Sequence, residues 1–91
     1  MANLDIKNLE KILKALANKR RLSILKYLKS KKEASVGDIA GKIHLSIKST
    51  SRHLSVLSIL DILEKEQRSS QVFYRISNNN DSILKHILNI L

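Results

Sequence analysis

Two cations one helical turn apart, Lys48 and Arg52, lie within a run of hydroxyl side chains that begins at Ser46. At this spacing they share one face of a helix with Ser49 and Ser55. That face has no acidic residue, whereas a solvated helix face usually mixes both signs of charge. Such a face suits a helix that lies in the major groove of duplex DNA, between negatively charged backbones. The alternative is a solvated helix face.

The fourth predicted helix therefore supplies the candidate DNA contacts. They are Ser46, Lys48, Ser49, Ser51, Arg52 and His53. Ser46 also suits the N-cap of this helix, because its hydroxyl can accept a backbone hydrogen bond. Arg52 is the side chain best suited to bind guanine or phosphate, because its guanidinium can donate two hydrogen bonds at once. His53 either contacts DNA or packs beside the neighbouring hairpin.

The same sequence offers little for catalysis or metal binding. It contains no cysteine, which excludes disulfides and thiolate metal sites. A glycine-rich phosphate loop, a metal-binding histidine pair and a plausible pair of catalytic carboxylates are also missing from the sequence. His44, His53 and His86 fall in different predicted elements, which disfavours a shared metal site. We therefore expect no enzymatic activity, no metal and no cofactor.

The charge of the chain favours a polyanionic partner. Seventeen Lys and Arg against eight Asp and Glu leave a formal net charge of +9, and residues 1–32 hold ten basic and two acidic side chains. Nucleic acid is the first candidate partner and an anionic membrane surface the second. No segment has the roughly 18 apolar residues that cross a bilayer, and the N-terminus does not resemble a signal peptide. We expect a cytoplasmic protein.

The elements that must position these residues follow from apolar spacing and capping residues. We predict helices over residues 4–17, from Asn18 to Lys32, from Ser35 to about Gly41, from Ser46 to about Leu60 and over residues 81–91. Asn80 or Asp81 is the predicted cap of the last helix. We predict strands over residues 62–66 and 71–76, joined by a turn at residues 67–70. The result is a single mainly α domain, residues 1–91, with a small β-hairpin. Residues 35–60 have helix-turn-helix spacing, and residues 62–76 form the wing of a winged helix.

The second helix begins with Lys19, Arg20 and Arg21. Cations there oppose the helix dipole, whose positive end lies at the N-terminus, and a phosphate at this end would relieve the conflict. We therefore predict phosphate contacts for Arg20 and Arg21. The alternative is a solvated cationic turn.

Apolar stripes on the first and last helices predict a homodimer. A chain this short has a limited core, and an interface between subunits would enlarge it. The predicted interface residues are Leu9, Ile12, Ile83, Leu84, Ile87, Leu88 and Leu91. A membrane anchor is a poorer explanation of the last helix, because only Lys85 and His86 could supply cations on its polar face.

Several runs resemble the arsenic-repressor (ArsR-type) winged-helix regulators in order and spacing. They are Leu13-Lys14-Ala15-Leu16-Ala17-Asn18, Arg21-Leu22-Ser23-Ile24-Leu25, Ser35-Val36-Gly37-Asp38-Ile39-Ala40, Leu45-Ser46, Ser51-Arg52-His53-Leu54 with Leu57, and Val72-Phe73-Tyr74-Arg75-Ile76. The resemblance covers residues 9–76 and is most specific in the Ser-Arg-His-Leu run and the aromatic strand. It implies a winged helix-turn-helix dimer that binds DNA and regulates transcription.

The sequence departs from that family pattern at three places. Ser35 and Gly37 stand where metal-sensing members carry a Cys-x-Cys pair, so that metal site cannot form. Asp61 replaces a glycine usual after the recognition helix, and aspartate tolerates the left-handed conformation better than most residues. Ser69 and Ser70 replace a frequent Gly-Arg pair at the wing tip. Arg68 is then the nearest basic candidate for a minor-groove or backbone contact.

These observations predict a sequence-specific regulator, most simply a repressor, on a pseudo-palindromic operator with half-sites about one helical turn apart. A sequence-independent architectural or DNA-coating protein with the same fold is the main alternative. A module whose basic face binds an acidic protein is a third. The sequence indicates no effector ligand.

Overall fold

Five helices and a three-stranded antiparallel sheet make up residues 6–78 and 82–91, the part of the chain that the structure, a computed structural model, describes. The elements are α1 (Ile6–Leu16), α2 (Lys19–Lys31), β1 (Glu33–Ser35), α3 (Val36–Ile43), α4 (Ile47–Ile59), β2 (Leu63–Arg68), β3 (Gln71–Ile76) and α5 (Ser82–Ile90). The predicted winged helix-turn-helix fold is confirmed. Residues 4 and 5 of the predicted first helix, and the proposed caps Asn80 and Asp81, lie outside the described residues.

Side-chain caps begin three of the helices. The side chains of Asn18, Ser35 and Ser46 each accept a hydrogen bond from a backbone N–H two or three residues further along the chain. These bonds satisfy donors that the first turn of a helix leaves without partners. The predicted starts of α2, α3 and α4 are therefore confirmed.

Four non-glycine residues in the described part of the chain have positive φ. The non-glycine residues with positive φ are Lys32, His44, Asp61 and Ser69, at 76°, 57°, 58° and 56°. Asp61 thus adopts the left-handed conformation that suits the glycine usual at this position in the ArsR-type pattern. The predicted end of α3 near Gly41 is wrong, because the helix continues to Ile43 and ends where His44 turns left-handed.

The sheet has the strand order β1-β3-β2. Strand β1 was not predicted; its three residues pair with β3 so that Ala34 lies opposite Tyr74. The hairpin is longer than predicted, because Arg68 pairs with Gln71 and leaves only two residues in the turn. Arg68 therefore ends strand β2 and does not lie in the turn.

The core lies between α2, α3, α4 and the inner face of the sheet. Its fully buried apolar residues are Ile24, Leu25, Leu28, Ile39, Leu54, Leu57, Ile62 and Leu84. Leu84 of α5 is only 2% exposed in the single chain, because α5 packs on α2. This corrects its predicted place in a dimer interface, since its side chain has almost no surface left for a partner. None of the helices in residues 6–78 and 82–91 is both long and apolar enough to span a bilayer.

Candidate nucleic-acid interface

Helix α4 turns a cationic face to solvent. Thr50, Leu54 and Leu57 are buried against the core, which directs the opposite side of the helix outward. Lys48 and Arg52 are exposed there, and neither forms an ion pair within the described part of the chain. The helix contains no acidic residue. The predicted separation of a buried face from a cationic face is therefore present.

The hydroxyl residues of α4 surround these cations. Ser46 is exposed and its Oγ accepts the backbone N–H of Ser49 at 3.1 Å, so its hydroxyl is already engaged as a cap. Ser49 and Ser51 are half-buried, and Ser55 is exposed. This leaves Lys48, Arg52 and Ser55 as the most accessible polar side chains at spacings of four and three residues.

Ile47 is an exposed residue of α4 that sequence reasoning missed. It lies three residues before Thr50, and this spacing assigns it to the buried face. At the first position of the helix it reaches past the core and remains 60% exposed. An apolar side chain beside Lys48 can contact a thymine methyl group in a major groove.

Arg21 is directed into the chain and connects three helices. Its Nε donates to Nδ1 of His53 in α4 at 3.2 Å, and its NH1 donates to the carbonyl oxygen of Ala15 in α1 at 3.3 Å. A phosphate contact was predicted for Arg21, and a contact with DNA or with the hairpin for His53. Their contact with each other was not predicted. Arg20, the next residue along the helix, is exposed.

The imidazole of His53 has a perturbed protonation equilibrium. Burial lowers the pKa of His53, and the positive charges of Arg21 and Arg20 lower it further. The hydrogen bond from Arg21 also requires a free lone pair on Nδ1, which only a neutral imidazole with its proton on Nε2 provides. The structure therefore favours the neutral form of His53.

The outer face of the sheet holds its two arginines in ion pairs. Arg68 donates to Glu33 and Glu66, with NH2–Oε1 distances of 3.0 and 3.1 Å, and its guanidinium lies 4.7 Å from the centre of the Phe73 ring. Arg75 donates to Glu64 and Glu66 at 3.1 and 3.2 Å. Arg68 was the predicted wing contact with DNA. To bind DNA, its guanidinium would have to exchange its hydrogen bonds with Glu33 and Glu66 for bonds to the DNA.

These pairs also fix the charge of the carboxylates. The hydrogen bonds from Arg68 lower the pKa of Glu33 and of Glu66, and Arg75 contributes to the lowering at Glu66. The same bonds raise the pKa of Arg68. At neutral pH the ion pairs on the outer face of the sheet, two arginines with three glutamates, therefore carry no excess of positive charge.

The predicted dimer residues differ in exposure. Leu9 and Ile12 of α1 and Ile83, Ile87, Leu88 and Leu91 at the C-terminal end are half-buried. Two further apolar residues of α1 that were not predicted, Ile6 and Leu13, are 85% and 48% exposed. Ile6, Leu9 and Leu13 together line an open apolar groove along α1.

Possible metal ligands are dispersed. Within residues 6–78 and 82–91 no three His, Cys, Asp or Glu side chains come together as a metal site requires. Ser35 and Gly37, which stand at the positions of the family's cysteine pair, lie at the start of α3, where Ser35 is the N-cap.

Comparison with known sequences gives a consistent set of relatives. The family model for bacterial regulatory proteins of the arsR family matches residues 18–65. Transcriptional activator HlyU of Vibrio cholerae is 34% identical over 80 residues, which cover 88% of this chain and 73% of that protein. Cadmium resistance transcriptional regulatory protein CadC of Listeria innocua is 33% identical over 78 residues, 86% of this chain and 66% of that protein. This chain thus spans just under two thirds of the length of CadC.

Solved structures agree with these sequence relatives. Reduced HlyU from Vibrio cholerae superposes with a TM-score of 0.79 at 32% identity, covering 93% of this chain and 85% of that one. A homodimeric winged helix-turn-helix DNA-binding domain from Mycobacterium bovis superposes with a TM-score of 0.78 at 25% identity, covering 99% and 85%. The matches extend beyond the helix-turn-helix to nearly the whole chain.

Proposed function

This chain belongs to the ArsR family of bacterial transcriptional regulators, and from that premise we propose that it binds duplex DNA as a symmetric homodimer through the exposed face of α4. The observation that carries the proposal is the pair of exposed cations Lys48 and Arg52, which have no carboxylate partner among the described residues. The proposed DNA-facing set is Ser46, Lys48, Ser49, Ser51, Arg52 and the neighbouring Arg20.

The geometry of α4 supports insertion into a major groove. A helix rises about 1.5 Å per residue, so Lys48 and Ser55 lie roughly 10 Å apart along its axis. The major groove, about 12 Å wide, admits a helix with side chains on its exposed face. Arg52 lies between these ends, where a guanidinium can reach a guanine edge or a phosphate oxygen.

The dimer is supported by the apolar surface that the single chain leaves open on α1. Ile6 and Leu13 are exposed in a groove that also includes Leu9, and burial of such a surface is favourable by about 25 cal/mol per Å². The Mycobacterium bovis domain, which superposes over nearly the whole chain, is homodimeric. Two copies of α4 would then contact half-sites about 34–36 Å apart on a pseudo-palindromic operator.

Repression by blocking polymerase access is the regulatory outcome that we propose. It requires only a stably bound dimer on a promoter. A sequence-independent coating protein would use the same surface, so the two differ in the ratio of specific to non-specific affinity. Selection of bound sequences from a random duplex pool, followed by competition with random duplex, measures that ratio.

Replacement of Lys48 and Arg52 by Ala tests the proposed interface. We expect weaker binding of the selected duplex and a salt dependence flatter by about two to four units, since each lost phosphate contact removes about 0.9 from the slope and a dimer carries each residue twice. The measurement is a fluorescence titration at several salt concentrations, which also gives the number of chains bound per duplex.

The matched control replaces Lys65 and Lys85, two exposed lysines outside α4, with Ala. The same loss in both double variants would mean that only net charge matters and that α4 is not the interface. A stoichiometry of one chain per palindromic duplex would contradict the dimer. A selected duplex that binds no more tightly than random DNA would favour coating over regulation, because specific sites usually bind about a thousandfold or more tighter.

A further inference from the structure

A second cationic surface lies along α2 and shares only Arg20 with the DNA-facing set proposed above. A groove of about 820 Å³ runs between α2 and the end of α3. Its charged or titratable lining residues are Lys19, Arg20, Lys26, Lys31, Lys42 and His44. All six are exposed.

The groove contains positive charge without compensation. No carboxylate is among its lining residues, and its lysines and arginine form no ion pair within residues 6–78 and 82–91. Helix α2 itself contains no acidic residue. Five like charges along one groove repel each other, and a bound polyanion would relieve that repulsion.

The length of the groove fits a nucleic-acid backbone better than a small anion. From Lys19 to Lys31 the helix advances about 18 Å, which corresponds to roughly five base pairs of duplex at 3.4 Å each. Long, exposed lysine side chains make point contacts to phosphates without fixing one ligand geometry. A small-molecule pocket instead encloses its ligand with few, well-placed polar groups.

The α2 groove lies next to the start of α4. Lys42 and His44 line the groove, and they lie just before Ser46, the N-cap of α4. A duplex whose major groove holds α4 therefore has its backbone next to these two residues. The other charged lining residues belong to α2.

We propose that the α2 groove binds the phosphate backbone of the duplex that flanks each half-site, and so extends the contacted DNA by roughly five base pairs on each side. This inference rests on the proposed function, because it takes α4 as the primary contact. Ser23 and Ser30, which also line the groove, can donate further hydrogen bonds to phosphate oxygens. The contacts are independent of the flanking sequence.

Duplexes of two lengths test this proposal. One carries the selected half-sites alone, and the other adds about six base pairs of random sequence at each end, slightly more than the groove spans. We expect the wild-type protein to bind the longer duplex more tightly and with a steeper salt dependence. The double variant Lys26→Gln, Lys31→Gln should lose that gain, with a slope lower by about two to four units for a dimer, and should bind the short duplex as the wild type does.

The matched control is Lys29→Gln with Lys32→Gln, which removes the same charge from the same segment but changes residues that do not line the groove. It should retain the gain from the flanks. Equal losses in both double variants, or wild-type binding that is indifferent to duplex length, would overturn the groove proposal and leave α4 binding intact. Failure of the wild type to bind either duplex would instead refute the proposed function, and the groove inference with it.

Discussion

The outer face of the sheet and the exposed face of α4 use the same cationic chemistry with opposite outcomes. Arg68 and Arg75 are held by three glutamates of the sheet. Lys48 and Arg52 on α4 have no carboxylate partner in the described part of the chain. The number of basic residues in a segment is therefore a poor guide to a polyanion site. What indicates such a site is whether those residues lack carboxylate partners.

The pairing on the sheet has a larger effect on surface charge than on stability. Exposed ion pairs contribute little to stability, because water screens the charges and the side chains lose freedom. Their neutralised charges, however, offer little attraction to DNA phosphates. The outer face of the sheet therefore has no excess of positive charge among its paired residues, whereas the exposed face of α4 is cationic.

Introducing a carboxylate on α4 should make that helix resemble the sheet, and we expect this to be the largest effect. Ser55 is exposed three residues after Arg52, so Ser55→Glu places a carboxylate within reach of its guanidinium. Affinity for the selected duplex should fall roughly tenfold to a hundredfold, since a well-placed arginine contact is worth about 1–3 kcal/mol. Ser55→Gln is the size-matched control in the same titration. Similar losses in the two variants would show that bulk at this position, and not pairing, weakens binding.

Removing the glutamates of the sheet should have the opposite and smaller effect. Glu33→Gln with Glu66→Gln releases Arg68 from both of its carboxylates and should steepen the salt dependence of binding by about two units for a dimer. Arg68→Ala should be nearly neutral in the wild type but should abolish the gain in the double variant. A strong loss from Arg68→Ala in the wild type would mean that the wing arginine binds DNA despite its partners.

The smallest expected effect is the pH dependence of stability that arises from Arg21 and its neutral partner, His53. The pKa of His53 is lowered in the folded chain, so the unfolded chain takes up the proton first as pH falls below about 6.5. The contribution of His53 to the free energy of unfolding is thus constant above that pH and decreases below it. Between pH 7.5 and 5.5 the thermal midpoint should fall by a few degrees at most, since 1 kcal/mol corresponds to about 4–8 °C.

The His53→Gln variant isolates this contribution, because glutamine keeps an acceptor for Arg21 but does not titrate. The other histidines affect both proteins equally. An identical pH dependence in the two proteins would show that the Arg21–His53 contact does not control stability.

Local signals in the sequence were enough to predict most of the fold. Asn18, Ser35 and Ser46 are capping residues whose geometry depends only on the next few residues, so the starts of three helices were predictable. The buried face of α4 followed from helical spacing. Strand β1 was not predictable in the same way, because its three residues form a strand only by pairing with β3, which is distant in sequence.

The candidate site was less predictable, because side-chain partners depend on the tertiary fold. The exposure of Lys48 and Arg52 followed from the periodicity of α4. The partners of Arg68 and Arg21 did not, since Glu33 and His53 lie 35 and 32 residues away. Leu84 was assigned to the wrong surface because an apolar stripe does not show whether it covers its own core or that of a neighbour.

The hydrogen bonds of Arg21 have a consequence for operator geometry. They join α4 to Ala15 at the end of α1, the helix through which we propose that two chains pair. Because α4 is hydrogen-bonded through Arg21 to α1, it is not free to rotate independently toward a displaced half-site. One base pair inserted at the operator centre moves the half-sites by about 3.4 Å and turns them by about 35°. We therefore expect the proposed dimer to tolerate such an insertion poorly and to prefer operators of a single spacing.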